Sequence, residues 1–223
     1  MRQIELIKGD FRFQYKYGIF AIYVILIAVY IGLLAAIPMA VRQTVAIILI
    51  FTDPAAMGLF FMGAVILLEK SQRINCSLAV APMKVSEYIT AKVLSMVVTG
   101  TLIGMMLGIY AKIPHLFSAT LGIGLSSIIF SLCGLLVAIR ITSLNQFLLA
   151  TVPFELGIFA PALLYLFGVI RGRGILFHPG IAAIALIKGE ENIGILCVGI
   201  LLAWIIILYS LCKHKTKKAF SEC

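Results

Sequence analysis

Charged side chains are scarce in this sequence, which has 223 residues of which only 12% are Asp, Glu, Lys or Arg. A soluble domain carries about 25% charged residues. The chain is 62% apolar, so it has too little polar surface to cover itself in water. No segment is both long and polar enough to fold as a soluble domain. The composition therefore predicts one membrane domain.

Histidine and cysteine, which ligate metals and serve intramembrane metalloproteases, are also few. His115, His178 and His214 fall in predicted loops or the tail, and none of the five cysteines has metal-ligand spacing. Glu190 and Glu191 are paired as in prenyl-protein proteases, but no arginine stands three positions after the pair. We therefore expect no catalytic residues, no metal site and no enzyme activity in this chain.

Six apolar stretches are long enough to cross a bilayer, which takes about 20 helical residues. Backbone groups in lipid must be bonded within the segment, so helices are expected. The stretches cover residues 18–38, 45–68, 88–111, 117–139, 147–170 and 193–212. The sequence predicts an all-α, polytopic membrane protein with a six-helix domain over 18–212 and a basic cytoplasmic tail over 213–223.

The basic residues are distributed unequally between the two sides of the predicted spans. Five of the 18 lie on one side: Arg42, Lys112, Arg171, Arg173 and Lys188. The rest lie on the other side, which is cytoplasmic by the positive-inside rule. We expect a multi-pass protein of the plasma membrane with both termini in the cytoplasm. The net charge of +9 sits at span ends rather than in a continuous stripe, so nucleic-acid binding is not expected.

Residues 1–17 precede the first span and have an amphipathic pattern. Apolar residues recur at helical spacing and basic residues border them: Ile4, Ile7, Phe11 and Tyr15, with Lys8, Arg12 and Lys16. This pattern predicts a helix in the cytoplasmic membrane interface. A mobile basic tail is the alternative.

Two carboxylates, Asp53 and Glu155, fall within predicted spans. Each costs a few kcal/mol in hydrocarbon unless it faces protein or water. Pro54 follows the first and Pro153 precedes the second, so we expect a helix break near mid-membrane at both positions. The carboxylates would line a translocation path or form a site for a cationic substrate. Alternatively, Asp53 caps the half-helix that follows it.

Small residues recur at every fourth position in two spans. They are Ala28, Gly32 and Ala36 in the first span and Gly100, Gly104 and Gly108 in the third. Such stripes let helices approach closely in lipid. We expect them to pack within the chain, with packing against a second copy as the alternative.

The loop over residues 69–87 is charged at both ends and mildly apolar in its middle. This pattern predicts a short amphipathic helix that ends before Pro82, with Ser86 and Glu87 opening the next span. A loop of this composition is suited to docking onto a soluble partner.

This region carries a resemblance to a known family. Glu69-Lys70 closes the second span, Ala81-Pro82-Met83 forms a turn, and Ser86-Glu87-Tyr88 with Ala91-Lys92 opens the third. Residues 11–18 form a basic and aromatic lead, and Asp53-Pro54 is followed by Gly58, Phe60 and Phe61. The chain resembles the permease subunits of type-2 ATP-binding-cassette exporters, most of all the fluoroquinolone-export subgroup. The resemblance is continuous over residues 11–95 and topological beyond them.

The resemblance implies a coupling helix in 69–87 that docks into an ATPase subunit. The implied coupling residues are Glu69, Lys70, Arg73, Ala81, Pro82, Glu87 and Lys92. The N-terminal helix, with Phe11, Arg12, Tyr15 and Lys16, would be the connecting helix. Residues 171–192 would form outer half-helices. Because many charged residues lie in this segment, its depth in the membrane is left open.

The resemblance also implies an assembly. The sequence has no Gly-x4-Gly-Lys-Ser/Thr motif, so ATP and Mg²⁺ would bind two copies of a separate ATPase subunit and no cofactor is expected here. A second permease subunit would complete a homodimer or heterodimer within the lipid bilayer. Amphipathic or hydrophobic cargo would pass along Phe51, Asp53, Pro54, Phe60, Phe61, Phe154, Glu155 and Phe159.

Two other functions stay open at the level of sequence. An ion-coupled carrier could use the two span carboxylates as a proton relay, although such carriers usually have internal repeats and more spans. A small membrane immunity or scaffold protein is the other alternative, and it would not accelerate ATP turnover.

Overall fold

The computed structural model of the protein describes residues 2–53, 55–72 and 84–221, and these residues are helical without any strand. The α-helices are α1 Arg2–Lys16, α2 Ile19–Ala36, α3 Met39–Thr52, α4 Met57–Ser71, α5 Val85–Tyr110, α6 Leu116–Ala138, α7 Leu144–Leu166, α8 Pro179–Lys188 and α9 Gly194–Ser221. Short 3₁₀ turns cover Gly174–Phe177 and Glu191–Ile193. The all-α prediction is confirmed.

Within the described residues, six helical units have the length and apolar composition needed to cross a membrane. They are α2, α3 together with α4, α5, α6, α7 and α9. The predicted six-span protein is therefore confirmed at this level, and the predicted span ends agree with the helix ends within a few residues, except where α3 begins earlier and α9 continues through the predicted tail.

The second span is broken where the sequence predicts a break. Helix α3 ends at Thr52 and α4 begins at Met57. The backbone N–H of Met57 donates to the carbonyl of Asp53 at 2.6 Å, and that of Ala55 donates to Ile50 at 3.1 Å. Helix α4 has no side-chain cap at its N-cap residue Ala56. Asp53 thus accepts from the first turn of α4 through its backbone carbonyl, which corrects the expectation of a carboxylate cap.

The fifth span is not broken, so the predicted break beside Glu155 is wrong. Helix α7 runs continuously from Leu144 to Leu166 with Pro153 and Pro161 inside it. Proline is tolerated within membrane-spanning helices because neighbouring groups can satisfy the freed carbonyls.

Contacts between helix ends show that the spans alternate in direction. On one side, Asp10 of α1 bonds to Lys92 near the start of α5, and Lys70 near the end of α4 bonds to the Ala138 carbonyl at the end of α6. Cys212, near the end of α9, also donates to a carbonyl in the second half of α6. We call this the α1 side; both ends of the described chain lie there.

The opposite side holds the other helix ends. Gln43 near the start of α3 donates to the carbonyl of Lys112, which follows α5, at 3.1 Å. Ser118 near the start of α6 donates to the carbonyl of Leu186 in α8 at 2.9 Å. Helix α8 and the start of α9 therefore lie on this side, as the sequence predicts for residues 171–192.

Helix α6 is the centre of the bundle and packs closely through its glycines. A side chain at Gly134 would collide with the backbone of Leu59 in α4, and one at Gly122 would press on Leu186 and Ile187 in α8. Such close approach of backbones is how helices gain packing contacts in lipid.

The two predicted small-residue stripes behave differently. Gly104 of α5 lies against Ile123 of α6, so packing within the chain is confirmed for that stripe. In α2, Ala28, Gly32 and Ala36 are exposed, and nothing lies within 4 Å of a side chain added at Gly32. Packing within the chain is therefore wrong for α2, which flanks the bundle.

The segment between α7 and α9 folds back between the spans. The indole N–H of Trp204 donates to the Phe177 carbonyl at 3.0 Å. Trp204 is ten residues into α9, which is about 15 Å along the helix. Gly180 approaches the backbone of Ile158 in α7 closely, and residues 179–187 of α8 are buried. After α7 the chain therefore runs from the side opposite α1 toward the middle of α7 and α9. Helix α8 then leads it back to the side opposite α1.

Candidate functional site

Lys92 is the centre of a buried ion cluster on the α1 side. Its Nζ lies 2.6 Å from Oε1 of Glu69 and 2.8 Å from Oδ1 of Asp10. Lys92 is 3% exposed and Glu69 is 6% exposed. Out of water, such charge-assisted contacts are strong only when the geometry is good and the remaining groups are bonded. These distances meet the first requirement.

Neighbouring polar groups meet the second requirement in part, since Gln14 Oε1 is buried without a hydrogen-bond partner. The Tyr88 hydroxyl donates to Oε2 of Glu69 at 2.8 Å. Gln14 Nε2 donates to Ser95 Oγ at 3.1 Å, and Ser95 Oγ donates to the Lys92 carbonyl at 2.9 Å. We call Asp10, Gln14, Glu69, Tyr88, Lys92 and Ser95 together the Lys92 cluster.

Helical spacing explains how the sequence forms the cluster. Asp10 and Gln14 are four residues apart on α1, and Tyr88 and Lys92 are four residues apart on α5, so each pair shares one helix face. Glu69 lies two residues before α4 ends at Ser71. Three helices therefore each present polar groups at the same level.

The cluster contains two carboxylates and one ammonium, so it carries a net negative charge when all three groups are ionised. A cavity of about 230 Å³ opens beside it and is lined by Asp10, Glu69 and Lys92 with Glu5 and Phe13 among others.

The cluster links three helices. It ties α1 to the end of α4 and the start of α5, the two helices that flank residues 73–83. Gln72 adds a further link, since its Nε2 donates to the Tyr17 hydroxyl at 2.6 Å. The ends of α4 and α5 that flank residues 73–83 are therefore both attached to α1.

Lys70 makes a second link on the same side. Its Nζ donates to the carbonyls of Ala138, Ile139 and Ile141 at 2.7, 2.7 and 2.9 Å. The last carbonyls of a helix have no partner within it and favour a cation. Lys70, on α4, thus caps the C-terminal end of α6. It follows Glu69 in the sequence, so α6 is held next to the Lys92 cluster.

The predicted coupling residues are divided by the structure. Glu69 and Lys92 are buried against each other, Lys70 caps α6, and Glu87 accepts from the backbone N–H of Lys84 at 3.1 Å at the start of α5. Arg73, Ala81, Pro82 and the predicted amphipathic helix lie outside the described residues. A coupling role for Glu69 and Lys92 stays a prediction, and their burial makes it an indirect one.

The predicted path residues do not form one surface within this chain. Phe51 and Phe159 meet at 5.4 Å between ring centroids beside Phe130, and Phe51 is fully buried. Phe61 packs on Tyr23 at 5.1 Å.

The other path residues are scattered. Phe60, Asp53 and Glu155 are half-buried, and Phe154 is exposed on α7. Glu155 Oε1 is buried without a hydrogen-bond partner. Pro54 lies outside the described residues.

The predicted interfacial residues lie on α1, whose helical structure is confirmed. Phe11 stacks on Phe20 of α2 at 6.2 Å, while Arg12, Tyr15 and Lys16 are exposed. The face toward α5 is instead formed around Asp10 and Gln14.

Sequence reasoning missed Asp10, Gln14, Tyr88 and Ser95. One signal was available: Lys92 lies inside a span and needs a nearby counter-charge. Asp10 and Glu69 are acidic residues at the same predicted side and were the candidates for it.

The described residues contain no group of three His, Cys, Asp or Glu side chains suited to a metal ion. No known protein-family model matches the chain, and no curated protein sequence is significantly similar to it. The family resemblance therefore stays a prediction from the motifs that carry it.

Proposed function

We propose that the chain is the membrane-spanning permease subunit of an ATP-driven exporter of the type-2 ATP-binding-cassette class. It moves an amphipathic or hydrophobic cargo across the plasma membrane and is not itself an enzyme. A cytoplasmic ATPase subunit, in two copies, binds ATP and Mg²⁺ and docks on the loop between α4 and α5. The α1 side faces the cytoplasm, and α1 lies in the membrane interface.

The observation that supports this proposal most is the Lys92 cluster. A motor that pushes on the loop between α4 and α5 needs both helix ends to be fastened to the rest of the membrane domain. The cluster fastens them to α1, and Lys70 fastens α4 to α6. The loop residues 73–83 would transmit the force, and the buried charges would receive it.

The bare flanks of the bundle support a second permease subunit. Only 17% of the apolar 18-residue stretch is buried within the chain in α2, in α7 and also in α9. Leu149 and Leu156 on α7 and the small-residue stripe on α2 are exposed. Two copies related by a twofold axis would cover these faces, and the cargo would move between them. Phe154 and Glu155 lie on this flank.

The proposal is tested by purifying the tagged full-length protein from its native membranes in mild detergent. We expect an ATP-hydrolysing soluble protein to co-purify, and its ATPase rate to rise when it binds the permease. Arg73→Glu should reduce both effects, because it reverses a charge in the docking loop. Lys112→Glu, which reverses an exposed charge on the opposite side, is the matched control.

Two results would contradict the proposal. One is the absence of any ATPase from the purified complex. The other is full ATPase stimulation and transport in the Arg73→Glu variant, with membrane insertion equal to that of the control.

A second candidate, an ion-coupled carrier, is favoured by the unpartnered Oε1 of Glu155. A carboxylate oxygen without a partner inside a span is suited to binding a proton or cation. Transport that survives inactivation of every ATPase but stops on addition of a proton ionophore would favour the carrier.

A further inference from the structure

A cavity of about 540 Å³ lies on the side opposite α1, between the end of α7, the 3₁₀ turn Gly174–Phe177 and the turn before α9. Arg171, Arg173, Lys188 and Glu190 line it together with Tyr165. This volume falls within the range of small-molecule sites. We call it the arginine cavity.

Glu190 is the only carboxylate among the described residues that line the cavity, and its charge is compensated within the chain. Glu190 accepts from the Tyr165 hydroxyl at 2.6 Å and lies 2.8 Å from Lys188 Nζ. Neither Arg171 nor Arg173 has a carboxylate partner among the described side chains. The cavity therefore holds two cationic groups whose charge nothing in the described part of the chain compensates.

The backbone of the same turn adds further donors. Among described residues, no backbone carbonyl accepts from the N–H groups of Arg171, Gly172 or Arg173. Gly172 has a φ of 133°, which side chains disfavour, and this conformation lets both arginines line one cavity. Arg171 donates through Nε to the Gly168 carbonyl at 3.1 Å, which holds its guanidinium group in place and leaves its terminal donors free. Arginine donors and free backbone N–H groups together are the usual partners of phosphate oxygens.

The surroundings of the cavity are apolar. Phe167 and Phe177 are 62% and 69% exposed, and Val169 is 68% exposed, next to the charged turn. Exposed apolar side chains beside arginines at the end of a membrane span are typical of the headgroup level of a bilayer. A ligand with a phosphate and an acyl chain could contact both surfaces at once.

We infer that the arginine cavity binds the phosphate group of an anionic membrane phospholipid in the leaflet opposite α1. Arg171 and Arg173 bind the phosphate oxygens, and Phe167 and Val169 contact the acyl region. This inference does not depend on the transport function proposed above, because it uses only residues on the opposite side.

The test uses the full-length protein in nanodiscs of phosphatidylcholine with increasing phosphatidylglycerol, and counts retained lipids by native mass spectrometry. We expect phosphatidylglycerol to be retained in preference to phosphatidylcholine. The double variant Arg171→Gln with Arg173→Gln should bind it at least about tenfold more weakly, since hydrogen bonds to charged groups are lost. The variant with lysine at both positions should retain part of the binding.

Matched controls separate this site from general attraction to basic side chains. Arg42→Gln with Lys112→Gln removes two cations from the same side outside the cavity and should leave retention unchanged. The thermal unfolding temperature of each variant shows whether the fold is kept. Added salt should weaken binding in the wild-type protein.

The source of the phosphate is decided by competition with inorganic phosphate and with a short-chain phosphatidylglycerol. A lipid site requires the short-chain lipid to compete at much lower concentration than inorganic phosphate. Equal competition would overturn the lipid assignment, and equal retention of both lipids, or unchanged retention in the glutamine double variant, would overturn the site itself.

Discussion

Lys92 on α5 and Glu69 on α4 form a buried ion pair with 2.6 Å between Nζ and Oε1, and the pair lies where the two helices flank the loop between them. Asp10 joins the same ammonium group from α1 at 2.8 Å. Lys92 thus joins α1, α4 and α5, and its partner Asp10 is 82 residues away in the sequence. Its energetics therefore give direct tests of the structure.

Replacing Lys92 with methionine should destabilise the protein by about 3–5 kcal/mol, because the buried Glu69 and the half-buried Asp10 would both lose their counter-ion. The free energy of unfolding in mixed detergent micelles measures this. Adding Glu69→Gln to the variant should restore part of the loss, since it removes one of the opposed charges. Lys112→Met, at an exposed position, is the control, and an equal loss in both single variants would contradict the cluster.

The attachment of α1 depends on Asp10 and Gln14. The double variant Asp10→Ala with Gln14→Ala should raise hydrogen exchange in residues 2–16 at least about tenfold, because α1 loses its polar links to α5. Exchange measured by mass spectrometry on the protein in nanodiscs reports this peptide by peptide.

The matched control for α1 is Glu5→Ala with Lys8→Ala, which removes a salt bridge between side chains that are 74% and 62% exposed. Exposed pairs contribute about 0–1 kcal/mol. Exchange in α1 that is equal in the two double variants would mean that the helix is not held through Asp10 and Gln14.

Lys70→Met should lower the free energy of unfolding by about 1–3 kcal/mol, because three carbonyls at and just after the end of α6 lose their bonds to the ammonium group. Lys70→Arg should lose less, since arginine keeps the charge and several donors. Lys84→Met, at an exposed lysine on the same side, should have little effect. Thermal unfolding followed by intrinsic fluorescence compares the three, and an unaffected Lys70→Met variant would refute the cap.

Gly134→Ala should destabilise the bundle by about 1–3 kcal/mol through overpacking, because the new methyl group would meet the backbone of Leu59. Gly157→Ala is the control, as nothing lies within 4 Å of a side chain there and alanine favours helix. The ordering of the two unfolding temperatures checks the α4–α6 contact.

Gly32→Ile should reduce self-association of the protein without destabilising the single chain, because Gly32 has no neighbour within 4 Å in this chain. Gly199→Ile, on an exposed position of α9 with equally open surroundings, should leave association unchanged. Chemical cross-linking in native membranes measures the dimer fraction. Equal dimer fractions in both variants would remove α2 from the proposed interface.

Much of the membrane architecture could be predicted from the sequence because hydropathy and helix length are local properties. The break at Asp53 could also be predicted, because Pro54 follows it and proline disfavours a helix at the preceding residue. Helix α3 does end at Thr52, one residue before Asp53. The same reasoning was wrong at Pro153, because whether a proline breaks a span depends on neighbours that the local sequence does not reveal.

The site was less accessible to sequence reasoning. Glu69 and Lys92 were singled out for their positions at span ends, but the contact between them depends on how α4 and α5 pack. Asp10 was missed because it interrupts the apolar and basic pattern of α1 only once. The depth of α8 could not be predicted either, since the charges around it indicate an exposed loop while residues 179–187 alone are apolar.

The burial of α8 has a consequence for how this protein can move. Helix α8 packs among α6, α7 and α9, and its buried residues 179–187 fill the space between these helices next to the arginine cavity. If the chain works as proposed, we expect cargo on that side to pass between this chain and its neighbour. We then expect α6, α7, α8 and α9 to move together.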